Sequence, residues 1–115
     1  MLKKYNRLLT KYEFSRTKKF GGNHSGKFFH LYIYKPPQYQ GPSRVGIVVS
    51  NKFSKSAVKR NRLKRVFREV VRNNFDKIES GQWVVIYPKF SAVNKKYEEI
   101  SADFAKTLQE VPLTR

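Results

Sequence analysis

The segment Ser54-Lys55-Ser56-Ala57-Val58-Lys59-Arg60-Asn61-Arg62-Leu63-Lys64-Arg65-Val66-Phe67-Arg68-Glu69-Val70-Val71-Arg72 reads as a helix with two unlike faces. At 100° per residue, Leu63, Val66, Phe67, Val70, Val71 and Phe75 fall on one side. Asn61, Arg65, Arg68 and Arg72 fall on the other, flanked by Arg62 and Lys64. From Lys52 to Arg72 there are nine Lys or Arg and one acid, Glu69. A merely solvated helix face mixes signs and pairs Glu with Lys at i,i+4, because like charges at that spacing repel. Here one face can enter a core while the other presents guanidinium and ammonium groups, whose planar forks suit phosphate oxygens. The reading is a helix that faces nucleic acid, with Ser54 or Ser56 as N-cap. The N–H groups of its first turn add to the anion site.

Strand signals stand on both sides. Arg44 to Ser50 contains Val45, Ile47, Val48 and Val49, and Gly46 inside it hints at a close approach or a bulge. Gln82 to Tyr87 contains Trp83, Val84, Val85 and Ile86 and stops at Pro88. Strand, helix and strand over about 40 residues predict a βαβ crossover with parallel outer strands. Further out, Pro36 to Pro42 is a loop that no ladder tolerates. Phe28 to Tyr34 is a strand whose alternate residues Phe29, Leu31 and Ile33 suit a buried face. Its other residues, Phe28, His30, Tyr32 and Tyr34, are aromatic as well. Either a second element covers that face, or it is a stacking platform for unpaired bases. Thr10-Lys11-Tyr12-Glu13 is a capping box opening a short helix to about Lys19, stopped at Gly21-Gly22, where positive φ is easy. That helix has few apolar members, Phe14 and Tyr12, and should pack thinly. The last helix starts near Ser91 or Asn94 and packs through Tyr97, Ile100, Phe104, Leu108 and Val111. It holds four of the eight acids (Glu98, Glu99, Asp103 and Glu110), so the basic, functional part is residues 1–72.

Composition bounds the partner. The chain of 115 residues carries 25 Lys and Arg against 8 Asp and Glu, a formal charge of +17. Such a charge repels itself unless a polyanion neutralises it. Nucleic acid is the first candidate and an anionic membrane the second. Nine Phe, seven Tyr and one Trp argue for one folded domain spanning 1–115, with a basic arm at 1–9 and a short tail at 112–115. No apolar run is long enough to span a bilayer. The basic N-terminus lacks the apolar region of a signal peptide. With no cysteine there is no disulfide or thiolate metal site. The chain reads as cytoplasmic. His24 and His30 without a placed carboxylate make a weak acid–base pair, and no acidic cluster offers a two-metal site. The protein by itself binds and is not expected to catalyse; no catalytic residue is assigned.

Val49-Ser50-Asn51-Lys52-Phe53-Ser54-Lys55-Ser56-Ala57-Val58-Lys59-Arg60-Asn61-Arg62-Leu63-Lys64-Arg65 closely resembles the signature of the bacterial ribonuclease P protein subunit. Asn6-Arg7-Leu8, Phe14, Tyr32 and Arg44-Val45-Gly46 are supporting matches, and the resemblance spans roughly residues 3–110. It implies an α+β fold of about αβββαβα order, a four-stranded sheet packed with helices, with an unusual left-handed βαβ crossover. It further implies a catalytic RNA partner that, with Mg2+, removes the 5′ leader of precursor tRNA. No cofactor bound by the protein alone, no membrane and no obligate protein partner is implied. By position, Lys52, Lys55, Lys59, Arg60, Arg62, Lys64, Arg65 and Arg68 would hold the catalytic RNA, with Asn61 orienting its neighbours. Phe14, Lys18 and Tyr32, with Phe28 or His30, would line a cleft for the single-stranded leader, which favours the stacking platform. Two departures stand out: Lys18 replaces an aromatic found in many members, and the Pro36–Pro42 loop belongs to this chain. The rivals are a ribosomal protein using the same helix on rRNA and a DNA-binding regulator, which would need a second helix at helix-turn-helix spacing.

Overall fold

A computed structural model of the chain describes residues 10–49, 56–78 and 80–110. The basic arm, Ser54, Lys52, Lys55, Val111 and the tail lie outside them. In chain order the elements are α1 (Lys11–Phe20), β1 (Gly22–Ser25), β2 (Phe29–Tyr34), β3 (Arg44–Ile47), α2 (Ala57–Asn74), β4 (Trp83–Pro88) and α3 (Tyr97–Glu110). The order is αβββαβα, as the resemblance implied. The sheet runs β1-β2-β4-β3. β3 and β4 are parallel, and the other neighbours are antiparallel. The expected βαβ unit is therefore β3-α2-β4, its outer strands side by side.

The alternation in β2 sorts the molecule into layers. Phe29, Leu31 and Ile33 are buried and join Val45, Val84 and Ile86 on one sheet face. Leu63, Phe67, Val70 and Val71 of α2 and Ile100, Phe104 and Leu108 of α3 cover that face. Phe29 sits at the junction, edge-on to Phe67 at 6.1 Å and 5.5 Å from Phe104. Each such side chain contributes about 1.5–3 kcal/mol on burial. The opposite face carries His30, Tyr32 and Tyr34 from β2, in register with Tyr87, Val85 and Trp83 of β4. α1 lies on this second face.

α1 begins with the expected capping box: the Thr10 hydroxyl accepts from the Glu13 N–H at 3.1 Å, and Glu13 Oε1 accepts from the Thr10 N–H at 3.1 Å. Its buried residues, however, are Glu13 and Thr17, while Tyr12 is exposed and Phe14 half-buried. The sequence predicts thin apolar packing through Phe14 and Tyr12; the buried stripe is instead polar, and satisfied. Thr17 Oγ1 donates to the Glu13 carbonyl at 2.8 Å, and Glu13 Oε2 accepts from Arg44 Nη1 of β3 at 2.8 Å.

Several boundaries differ from expectation for local reasons. Gly21 ends α1 with φ −78°, so no left-handed conformation is needed. Glycine is required there because a Cβ would collide with the Thr17 carbonyl oxygen and stand 2.8 Å from that of Ile33. β1 was not read from the residues; its four positions, Gly-Asn-His-Ser, lack an apolar alternation. β3 ends at Ile47, although the Val48 N–H still donates to Ile86 O. α3 starts at Tyr97, later than Ser91 or Asn94; Ser91 lies in a 3-10 turn over Phe90–Ala92, its hydroxyl donating to the Lys27 carbonyl 3.0 Å away. Glu99 instead accepts from the Lys96 N–H at the start of α3. Gly81, at φ 83°, does need its left-handed freedom in the turn into β4.

Gly21→Ala is expected to destabilise the protein by about 1–3 kcal/mol, since backbone on both sides must yield. Gly22→Ala should cost much less, because the nearest obstacle is the movable His24 ring tip at 3.2 Å. Urea unfolding midpoints of the two variants compare them directly.

Candidate nucleic-acid interface

Ser56 caps α2, its hydroxyl accepting from the Lys59 N–H at 3.3 Å. The core-facing side of α2 is as expected, with Leu63, Phe67, Val70 and Val71 buried and Val66 and Phe75 packed beside them. On the outer side Asn61, Lys64, Arg65 and Arg68, with Val58, line one shallow groove. None of these four polar side chains has a hydrogen-bond or ion-pair partner among the described residues. Lys59 is exposed on the same first turns, and Arg60 is half-buried.

Two arginines of the helix are committed elsewhere. Arg62 donates from Nη1 to the Val93 carbonyl at 3.1 Å and from Nη2 to that of Lys95 at 3.3 Å. It therefore ties α2 to the approach of α3, a task that no local spacing signals. Arg72 Nη2 donates to Glu69 at 2.9 Å, a hydrogen bond that holds the Glu69 carboxyl below the usual carboxylate range. Being about half exposed, that pair adds little to stability.

The second surface is the aromatic sheet face. The Tyr32 ring meets Tyr87 edge-on, 5.7 Å apart and at 88°. Lys18 Nζ stands 5.1 Å from the Tyr87 ring centre, and Phe14 packs against the Trp83–Val85 cluster beside them. His30 is exposed opposite Tyr87, and its Nδ1 is 3.1 Å from the Ser25 hydroxyl. The structure thus brings Phe14, Lys18, His30 and Tyr32 to one face. Phe28 is not with them. It packs toward the main core, its N–H donating to Asp103 Oδ2 of α3 at 3.0 Å, with Lys95 Nζ 5.9 Å from its ring. Its carbonyl still accepts from the Lys89 N–H at 2.8 Å, one residue before the regular strand begins at Phe29. Tyr87 was missed, although the alternation of Trp83, Val85 and Tyr87 could have marked it. Burial, then the neighbouring Tyr32, raises the Tyr87 phenol pKa, so that phenol stays protonated at neutral pH.

The family model described as Ribonuclease P matches residues 2–112. The chain belongs to the ribonuclease P protein family. It is 35% identical over 111 residues to the ribonuclease P protein component of Chlamydia caviae, covering 95% of this chain and 76% of that one. It is 32% identical over 112 residues to that of Clostridium novyi, covering 97% and 98%. The Staphylococcus aureus RNase P protein, 23% identical, shares the fold with a TM-score of 0.81 over 97% of this chain and 100% of that one. Among the described residues, no helix is long and apolar enough to cross a membrane, and no group of three or more His, Asp or Glu could hold a metal ion.

Arg62→Ala should lower stability by about 1 kcal/mol through loss of its two carbonyl contacts. Arg65→Ala should stay within about 0.5 kcal/mol of the parent, as solvated positions do. Thermal and urea unfolding of the free protein distinguishes them without RNA.

Proposed function

We propose that this chain is the protein subunit of a ribonuclease P ribonucleoprotein that removes the 5′ leader from precursor tRNA. In that holoenzyme the RNA subunit carries the catalysis and Mg2+ supplies the hydrolytic chemistry, while this protein binds and positions. The outer face of α2, with Lys59, Arg60, Asn61, Lys64, Arg65 and Arg68, holds the catalytic RNA, joined by Lys52 and Lys55. Arg62 contributes mainly by fixing α2 against α3, with its remaining donors turned to phosphate. The observation that carries this reading is the unpaired row Asn61-Lys64-Arg65-Arg68. A core-packed helix holds these groups rigidly and without competing acids, on a chain matched by the family almost end to end. Tyr32 and Tyr87, with Phe14, Lys18 and His30 around them, take the single-stranded leader by stacking, which contributes about 1–3 kcal/mol per base. The protein works in the cytoplasm, without a membrane or an obligate protein partner.

The decisive assay is multiple-turnover cleavage of precursor tRNA by bacterial ribonuclease P RNA at low Mg2+, with and without the protein. Leader release should depend on the protein and should be absent with protein alone. Intact RNA binding without stimulation would point to the ribosomal alternative. Arg65→Ala should flatten the salt dependence of catalytic-RNA affinity by about one unit of slope. Tyr32→Ala should weaken discrimination between precursor and mature tRNA; equal weakening of both would sink the leader assignment.

A further inference from the structure

α1 crosses the aromatic sheet face and divides it. Phe14 and Lys18 project from one flank of the helix, Tyr12 and Arg16 from roughly the opposite flank. Beyond that second flank lies another cleft of about 520 Å3, with Tyr34 and Trp83 from the sheet and the Pro36–Tyr39 segment among its walls. Its volume falls in the range of small-ligand sites. None of its lining residues is acidic.

The walls are aromatic planes around one guanidinium. Arg16 Cζ lies 4.5 Å from the Phe20 ring centre, 5.7 Å from that of Tyr12 and 6.0 Å from that of Tyr34. Its Nη2 donates to the Tyr34 hydroxyl at 3.3 Å. Trp83 stands edge-on to both Tyr34 and Tyr39, at 6.0 and 5.7 Å. Its buried indole N–H has no acceptor among the described residues. Within the loop the Tyr39 hydroxyl donates to the Pro42 carbonyl at 2.6 Å, and Gln38 stands at φ 62°. Tyr12, 65% exposed, leaves a ring free for stacking at the rim.

We propose that this cleft takes one unpaired nucleotide of the 5′ leader, further along the strand than those over Tyr32 and Tyr87. Its base stacks on Tyr12 and its phosphate meets Arg16. The inference rests on the leader reading given above. The leader is the occupant because the cleft continues the same sheet face: Tyr32 and Tyr34 lie two residues apart on β2, about 7 Å. α1 is about 10 Å across, so a strand can pass over it within a few nucleotides. The catalytic RNA, by contrast, is assigned to α2 in the layer on the other side of the sheet.

The test uses holoenzyme reconstituted with Tyr12→Ala or Arg16→Ala protein, under conditions that bind but do not cleave. Precursor tRNAs with a long leader and with a leader too short to pass α1 are compared, alongside catalytic RNA alone. Each variant should bind the long-leader substrate about tenfold more weakly, the effect of losing one stacked base. The short leader and the catalytic RNA should be unaffected, and Tyr12→Phe should restore binding. Equal loss on both leaders, or loss on catalytic RNA alone, would assign the cleft to the RNA subunit and overturn the proposal. No loss on any RNA would also overturn it. Tyr32→Ala, run in parallel, separates the two ideas. If it abolishes precursor preference while Tyr12→Ala is silent, only the second cleft fails; if Tyr32→Ala is itself silent, the leader reading fails.

Discussion

One carboxylate sets the layout of the whole aromatic face. Glu13 is buried, closes the α1 cap with one oxygen and receives the Arg44 guanidinium with the other. Capping fixes where α1 starts, and the Arg44 bond fixes where that start lies on the sheet, against β3. A buried pair of this kind is a poor source of net stability against an apolar substitute, but breaking it leaves an uncompensated charge. Its value is positional. With Glu13 held at one end and Gly21 pressed on the Ile33 backbone at the other, α1 has little freedom to slide, and the clefts on its two flanks keep their shape.

The sheet makes that arrangement possible because its two faces do different work. Phe29, Leu31 and Ile33 are sealed under α2 and α3, so β2 is anchored independently of what touches its other side. His30, Tyr32 and Tyr34 then need not be buried for the fold to hold. α1 covers part of their face through Glu13, Thr17 and Phe14, and leaves aromatic rings on both flanks at the surface. The covered strand expected as one alternative is thus only partly realised: α1 covers part of the face and leaves the rest half-buried or exposed.

A similar separation runs through α2. Its apolar side is fully engaged, which makes the helix a rigid carrier for Asn61, Lys64, Arg65 and Arg68. A high positive charge on so small a domain repels itself. Among the described residues this is relieved in part by Glu69 with Arg72, Glu13 with Arg44 and the carbonyls that receive Arg62 and Lys89. Asn61, Lys64, Arg65 and Arg68 have no such partner among the described residues, and they share one side of one helix.

Local periodicity and chemistry determined much of this from the sequence alone. The two faces of α2, the inward set of β2 and the Thr10–Glu13 capping box follow from 3.6- and 2-residue repeats and from side-chain reach, all of which act within a few residues; the choice of Ser56 over Ser54 as the α2 cap came from the structure. The signature around Arg60-Asn61-Arg62 placed the chain in its family for the same reason: a motif is a local object. Tertiary structure decided whatever depends on register between distant strands and on which face an element lands. It paired Tyr32 with Tyr87, turned Phe28 toward α3, gave Arg62 two carbonyls more than thirty residues away and made a polar stripe the buried side of α1. No spacing within a segment encodes such contacts, because they arise only when the sheet order β1-β2-β4-β3 brings separate segments into register.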